Sequence, residues 1–373
     1  MLTDFRVPFV GLKQNFQENS DSILEIVFRT LSNGDLIMRD DLELFEKNVA
    51  KFLGSKYALG LNSGTDAMML SLLAEGIGDN DEVITVGHTF VATVAAIKHT
   101  GATPILIDVG LDHNLNVELL KAAITPRTKA IIPVHLNGRL CDMDELMEIA
   151  NHYNLIIVED ACQSWGASYN GKKAGTFGLT GCFSLYPMKT LGGYGDGGVV
   201  VTDDDDVYEK ICLLRDHGQK RTSDGIEITG YGYNSRLDNI QAALLNFKLD
   251  NLCKDINRRR YIASIYDAGL TGFISLKLPP GPSIEGMYWD TFQNYVIESS
   301  ERDELARFLN DAGVETLISW PKPMHKFKGL GLEQFDLPQT VVLSKKVLSL
   351  PMYPELQDSQ VNYVISKIGE FYS

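Results

Sequence analysis

From about residue 45 to 250 the chain alternates short apolar runs with longer stretches of helical spacing. Seven runs predict strands: Tyr57–Leu61, Glu82–Val86, Pro104–Asp108, Ala130–Val134, Leu155–Asp160, Gly181–Tyr186 and Gly198–Thr202. Several are continuous Val, Ile and Leu, the pattern of strands covered on both faces. Amphipathic segments such as Asp142–Asn151 lie between them, with Asp142 or Asp144 placed to cap that start. The alternation predicts an α/β fold, a mostly parallel sheet flanked by helices, with ligands collected at the C-terminal strand edge. His135, Asp160 and Ser184 fall at or near that edge.

After residue 250 the rhythm changes. Asn251–Tyr266 has helical spacing, Pro279–Gly286 reads as a loop, and Trp289–Ile297 reads as a strand. Arg302–Ala312 reads as a helix closed by Gly313, and a last helix begins near Ser359. Two domains are expected: a large one of residues 1–250 and a smaller C-terminal α+β one of residues 251–373. No repeat or low-complexity segment interrupts either.

Composition narrows the classes. With 373 residues, 44% hydrophobic and 22% charged, the chain can bury an ordinary globular core. A net charge of -15 argues against a general nucleic-acid binder, yet it leaves room for a small anion in a local positive pocket. The densest basic run, Arg258-Arg-Arg260, reads as an exposed helix face. The five cysteines are scattered, with no C-x-x-C pair, which fits a reducing compartment. No segment is long and apolar enough to span a bilayer, so a cytoplasmic protein is expected.

The chemistry centres on Lys189. The strand ending at Ser184 leads through Leu-Tyr-Pro-Met to Lys189, then into a glycine-rich turn before Val199-Val-Val201. A lysine between core strands is costly to desolvate as the cation, so burial favours the neutral amine, which condenses with aldehydes. Asp160 ends another buried strand. A buried amine and a strand-end carboxylate are what pyridoxal phosphate needs, one for its aldehyde and one to keep its ring nitrogen protonated. Asn62-Ser-Gly-Thr-Asp-Ala67 opens a helix with small side chains; it reads either as a phosphate cradle or as a plainly capped helix start. Taken singly, Asp160 reads as a turn residue, Gln163 as exposed and polar, and Phe90 as core. Tyr186 and His325 read as polar residues at a domain seam.

Together these pieces resemble the pyridoxal-phosphate sugar aminotransferases of the DegT/DnrJ/EryC1/StrS family, within fold type I. The resemblance runs from Pro8-Phe-Val-Gly-Leu12 to Leu350-Pro-Met-Tyr-Pro-Glu-Leu356 and the last helix. It rests most on Asn62–Ala67, Glu159–Ser164, Ser184–Lys189, Gly195–Gly198 and Tyr233–Asp238. It implies a large domain with a mostly parallel seven-stranded sheet. It also implies Lys189 as the Schiff-base lysine, Asp160 on the pyridine nitrogen, Gln163 by the ring hydroxyl and Phe90 on the ring face. Gly64, Thr65 and Ser184 would bind the phosphate, and Asn234 would reach it from the neighbouring subunit of a homodimer. Tyr186 and His325 would touch substrate, and no metal is called for.

The implied activity is transfer of an amino group from L-glutamate to a nucleotide-linked keto-sugar, for amino-sugar biosynthesis. The pieces around Lys189 are closer to relatives that aminate carbon 3 than to those that aminate carbon 4. Relatives with His in place of the lysine dehydrate sugars instead; here the lysine is intact. Asn137 and Ser319-Trp320 depart from the usual residues at positions that face the sugar in the family. The alternatives are a keto-cyclitol aminotransferase, a pyridoxal-phosphate sugar dehydratase, and a non-catalytic nucleotide-sugar binding protein.

Overall fold

The computed structural model describes residues 5–282 and 286–373, with Arg221 by its backbone alone; part of the expected 279–286 loop lies outside them. Two helices that the strand-helix pattern did not predict come first, α1 (Leu12–Asn33) and α2 (Asp40–Leu53). α2 buries Leu42, Phe45, Val49 and Leu53, an apolar stripe at three- and four-residue spacing, and ends at Gly54 in a left-handed cap.

The seven expected strands all form, β1, β2 and β7 with the expected ends and the other four with shifted ones: β1 (Tyr57–Leu61), β2 (Glu82–Val86), β3 (Thr103–Ile107), β4 (Thr128–Ile131), β5 (Ile156–Asp160), β6 (Thr180–Ser184) and β7 (Gly198–Thr202). They make one sheet in the order β1-β7-β6-β5-β4-β2-β3. From β6 to β3 every pairing is parallel, while β7 runs antiparallel to β6 and β1. Helices α3 (Gly64–Ala74), α4 (Val91–His99), α5 (Met143–Tyr153) and α6 (Asp205–Arg215) cover it. Asp142 caps α5 by accepting from Glu145 N, one of the two residues the sequence offered. Side chains alternate as strand geometry requires: Val199 and Val201 enter one core layer, Val200 the other.

The C-terminal region holds α7 (Asn239–Leu270), β8 (Leu276–Lys277), β9 (Tyr295–Ser299), α8 (Arg302–Asp311), α9 (Pro338–Lys346), β10 (Val347–Leu350) and α10 (Asp358–Tyr372). β8, β9 and β10 form a second, antiparallel sheet. Ile262, Tyr266, Ile297, Leu348 and Val361 build a separate core there, and Val7 joins it. Val7 N donates to Gly313 O (3.0 Å), and Glu315 N donates to Val7 O (2.9 Å). α7 passes unbroken through residue 250, so the expected domain boundary falls inside one rod. Among the described residues no helix is long and apolar enough to cross a membrane.

Two expectations about this region are corrected. Trp289–Ile297 is not one strand: Tyr288–Trp289 pairs with Ser168–Tyr169, β9 starts at Tyr295, and residues 290–294 bend between them. Phe292 has φ +51°, a left-handed conformation incompatible with a continuing strand. The Arg258–Arg260 run is not a solvated face either. Arg259 and Arg260 are buried, Arg259 against the carbonyl of Met352 (2.9 Å) and Arg260 over the Trp289 ring (3.5 Å). Backbone carbonyls and an aromatic face take the place of water around these guanidinium groups, with Arg259 Nε left without a partner among the described residues.

Candidate active site

Asp160 ends β5 and is 5% exposed. Its Oδ2 accepts from Thr93 Oγ1 (2.8 Å), and its Oδ1 accepts from Cys162 N (3.2 Å). A carboxylate can accept about four hydrogen bonds, so this one keeps acceptor capacity. Thr93 lies three residues after Phe90, the N-cap of α4, and its N–H donates to Phe90 O (3.2 Å). The Phe90 ring is open, 59% exposed.

The start of α3 closes in from another direction. Ser63 caps it by accepting from Asp66 N (3.1 Å). Gly64 and Thr65 occupy the first turn, where N–H groups have no partner within the helix. A Cβ on Gly64 would stand 2.7 Å from Cys162 Sγ and 3.2 Å from Ser184 Cβ. Only a glycine lets the start of α3, the loop after β5 and the end of β6 meet at that point. Ser184 Oγ accepts from Tyr186 N at 3.3 Å.

Lys189 follows on the turn after β6, its N–H donating to Tyr186 O (2.8 Å). It is half-buried rather than enclosed between strands, because the turn carries it past the end of the sheet. The Cys162 thiol reports its position. Burial and then Asp160 push that thiol well above its ordinary pKa, and the Lys189 charge pulls it back. Asp160 and the Lys189 amine therefore act on the same thiol.

Gln163 is engaged rather than free: its Oε1 accepts from Asn137 N (2.9 Å), and Asn137 sits at φ +59°. Tyr186 is about half exposed. Asn234 is exposed, and its carbonyl accepts from Asn62 Nδ2 at 3.5 Å. His325, expected at the substrate, is sealed instead. It is fully buried beside Gly87, and neither ring nitrogen has a partner among the described residues. Burial, then the neighbouring Lys326, lowers its pKa and keeps it neutral.

The fold thus gathers Asp160, Lys189, Gly64, Thr65 and Ser184, with Phe90 and Gln163 beside them. It leaves Tyr186 and Asn234 at the surface and His325 beneath it. Sequence reasoning missed Thr93 and Cys162, although the position of Thr93, one helical turn after Phe90, carried the signal. Helix-start N–H groups and a hydroxyl suit a phosphate, a carboxylate with spare acceptor capacity suits a ring N–H, and an amine suits an aldehyde. The residues present fit pyridoxal phosphate.

The sequence pattern of the DegT/DnrJ/EryC1/StrS aminotransferase family matches residues 17–369. A curated relative in Acidithiobacillus ferrooxidans, UDP-N-acetyl-3-dehydro-alpha-D-glucosamine 3-aminotransferase, is 38% identical over 370 residues, covering 99% of this chain and 98% of the relative. The crystal structure of Streptomyces venezuelae DesV, in complex with a ketimine intermediate, superposes with a TM-score of 0.94 at 38% identity, covering 99% of both chains. That of NtdA from Bacillus subtilis, with bound cofactor PMP, gives 0.89 at 29% identity, covering 98% of this chain and 84% of NtdA.

Proposed function

Since the chain belongs to the DegT/DnrJ/EryC1/StrS aminotransferase family and takes pyridoxal phosphate as its cofactor, we propose that it moves an amino group from L-glutamate to carbon 3 of a nucleotide-linked keto-sugar. The observation that carries this reading is the close approach of the start of α3 to Cys162, beside Asp160, and to Ser184, with the Lys189 charge acting on the same thiol. The name of the Acidithiobacillus relative supports carbon 3 over carbon 4.

When bound, the cofactor supplies an aldehyde that takes up amines and a ring that takes up electrons. Asp160 accepts the ring N–H, held in aim by Thr93 and by Cys162 N. The first N–H groups of α3, with Ser184, hold the phosphate. Phe90 covers one ring face, and Gln163 stands by the ring hydroxyl. Lys189 Nζ takes the α-proton of the amino donor and, in the return half, delivers a proton at the sugar carbon that gains nitrogen. Tyr186 lines the sugar side.

Asn234 serves the site of a second copy. Its exposure supports this, as does the apolar surface on the hairpin formed by Gln219–Thr222 and Gly225–Ile228, where Ile226 and Ile228 are each more than 60% exposed. Mixing Lys189→Ala chains with Asn234→Ala chains separates the cases. If Asn234 acts across the interface, one site of each hybrid dimer is intact and activity returns. If it acts within its own chain, the mixture stays dead.

The first test is the visible spectrum of the protein supplied with pyridoxal phosphate, before and after L-glutamate. A yellow band that bleaches with glutamate, and is absent in Lys189→Ala, supports the donor half; recovery of the band with a 3-keto rather than a 4-keto nucleotide sugar supports the acceptor. A colourless protein overturns the reading.

A further inference from the structure

Lys189 is gripped from behind by one side chain of the C-terminal region. Gln293 is 7% exposed and lies in the bend between Tyr288–Trp289 and β9. Its Oε1 accepts from Thr190 N (2.7 Å) and from Thr190 Oγ1 (2.8 Å), and its Nε2 donates to Met188 O (2.8 Å). A peptide N–H only donates and a peptide carbonyl only accepts, so these partners leave the amide one orientation. The residues on both sides of Lys189 are therefore tied to the same amide.

The bend that carries Gln293 is itself immobilised. Arg259 Nη1 donates to Phe292 O and Gln293 O (3.3 Å each) and to Met352 O (2.9 Å). Thr291 N donates to Gly138 O (2.9 Å), and Arg139 pairs with Asp290 (2.7 Å). Gly138 admits no side chain here, because a Cβ would stand 2.7 Å from Phe292 N. Phe292 is held at φ +51°, a conformation that persists only where its surroundings over-determine it. At the far end Asn294 Nδ2 donates to Asn137 Oδ1 (3.2 Å), and Asn137 N donates to Gln163. One five-residue bracket thus reaches both Lys189 and Gln163.

We infer that Gln293 is a positioning residue for Lys189, fixing the backbone on either side so that the amine is presented to the pocket in one geometry; this rests on the reading of Lys189 given above. A second hydrogen-bonded link, through Asn294 and Asn137, holds Gln163 in register with it. Small misplacements of a reacting group cost about a hundredfold in rate. Gln293→Met removes all three bonds, and Gln293→Glu removes the donation to Met188 O. Thr190→Val removes the hydroxyl bond alone.

The test reads Lys189 directly. In cofactor-free protein, competitive acylation followed by mass spectrometry gives the pH profile of Lys189 reactivity. In the loaded enzyme, kcat and KM are measured for both substrates. Gln293→Met and Gln293→Glu should displace the reactivity profile and lower kcat about 10- to 100-fold, with KM within about twofold. Thr190→Val should do the same to a smaller degree, and it serves if the Gln293 variants fail to fold. Glu82→Gln is the structural control. Glu82 is buried at the opposite edge of the sheet, bonded to Thr125 and Arg127, so its loss should lower stability without moving the Lys189 profile.

A wild-type profile and kcat in folded Gln293→Met overturns the inference. So does an equal displacement in Glu82→Gln. Borohydride reduction of the loaded enzyme and peptide mapping keep the two readings apart. Cofactor fixed to Lys189 with no Gln293 effect removes only the positioning role, whereas cofactor fixed to another lysine removes the Lys189 assignment and this inference with it.

Discussion

Glu159 and Asp160 are consecutive carboxylates on β5, and they face opposite sides of the sheet. Both are almost completely buried. Glu159 accepts from His135 Nε2 (2.9 Å) and from the backbone N–H groups of Gly175 (2.7 Å), Phe177 (2.6 Å) and Gly178 (2.7 Å). Those donors fill the acceptor capacity of a carboxylate. Asp160 accepts from Thr93 and Cys162 only, among the described residues. Burial does not distinguish the two; the filling of lone pairs does. A saturated carboxylate is a structural node, here fastening the 175–178 loop to the sheet. An unsaturated one beside an amine and a helix start is poised for a ligand.

The comparison can be pressed hardest at Lys189, the amine on the Asp160 side. Lys189→Ala should lower turnover by about 10⁴-fold while the melting temperature barely changes, as amine transfer and thermal unfolding would record. On the other face, Glu159→Ala leaves three N–H groups and a histidine without their acceptor. At about 1–3 kcal/mol for each unsatisfied group, stability should fall by about 4 kcal/mol or more in urea titrations. Asp160→Asn should do the reverse: a stable protein that binds cofactor, with kcat lowered about 10²- to 10³-fold. If Asp160→Asn destabilised as much as Glu159→Ala and folded molecules worked at the normal rate, the distinction would fail.

His88 sharpens the rule with a smaller effect. It is buried on the loop leading to Phe90, and its Nδ1 has no partner among the described residues. Burial, and then the charge of His113, lower its pKa to about 3, against the opposing pull of Glu298. Below about 6.5 the unfolded chain binds a proton there that the folded chain refuses until about pH 3. Stability should therefore fall as pH drops through that window, by up to about 1.4 kcal/mol per pH unit. His88→Phe keeps a ring against Trp320 (5.3 Å in the parent) and should flatten the slope. An unchanged slope would show that this nitrogen is not what titrates.

The Asp160 side was legible in the sequence because its parts are contiguous. A strand, its terminal carboxylate and a helix start with small residues each occupy a short window, so spacing reveals them. The bracket behind Lys189 was not. Gln293 acts on the carbonyl of Met188 and the N–H of Thr190, and backbone groups leave no mark in a side-chain pattern. The apolar spacing of Trp289–Ile297 hid the bend at Phe292, and an arginine run on a helix resembles a wet surface until the carbonyls that clamp Arg259 are known. α1 escaped for another reason. It buries only Ile23 and Thr30 among its residues, so it lacks the apolar stripe that marks a helix packed on its own chain. His325 was placed at the substrate by resemblance, and nothing local announced that its ring would lie fully buried beside Gly87.

Val7 and Phe9 bond to Gly313 and Glu315, the latter pair 306 residues apart in the chain. On a ribosome delivering about 5–20 residues per second, that partner emerges some 15 to 60 seconds after Phe9 does. For that interval the two apolar residues wait while the seven-stranded sheet, complete by Thr202, can already assemble. The Val7–Phe9 stretch is therefore one of the last pieces of the molecule to find its partners.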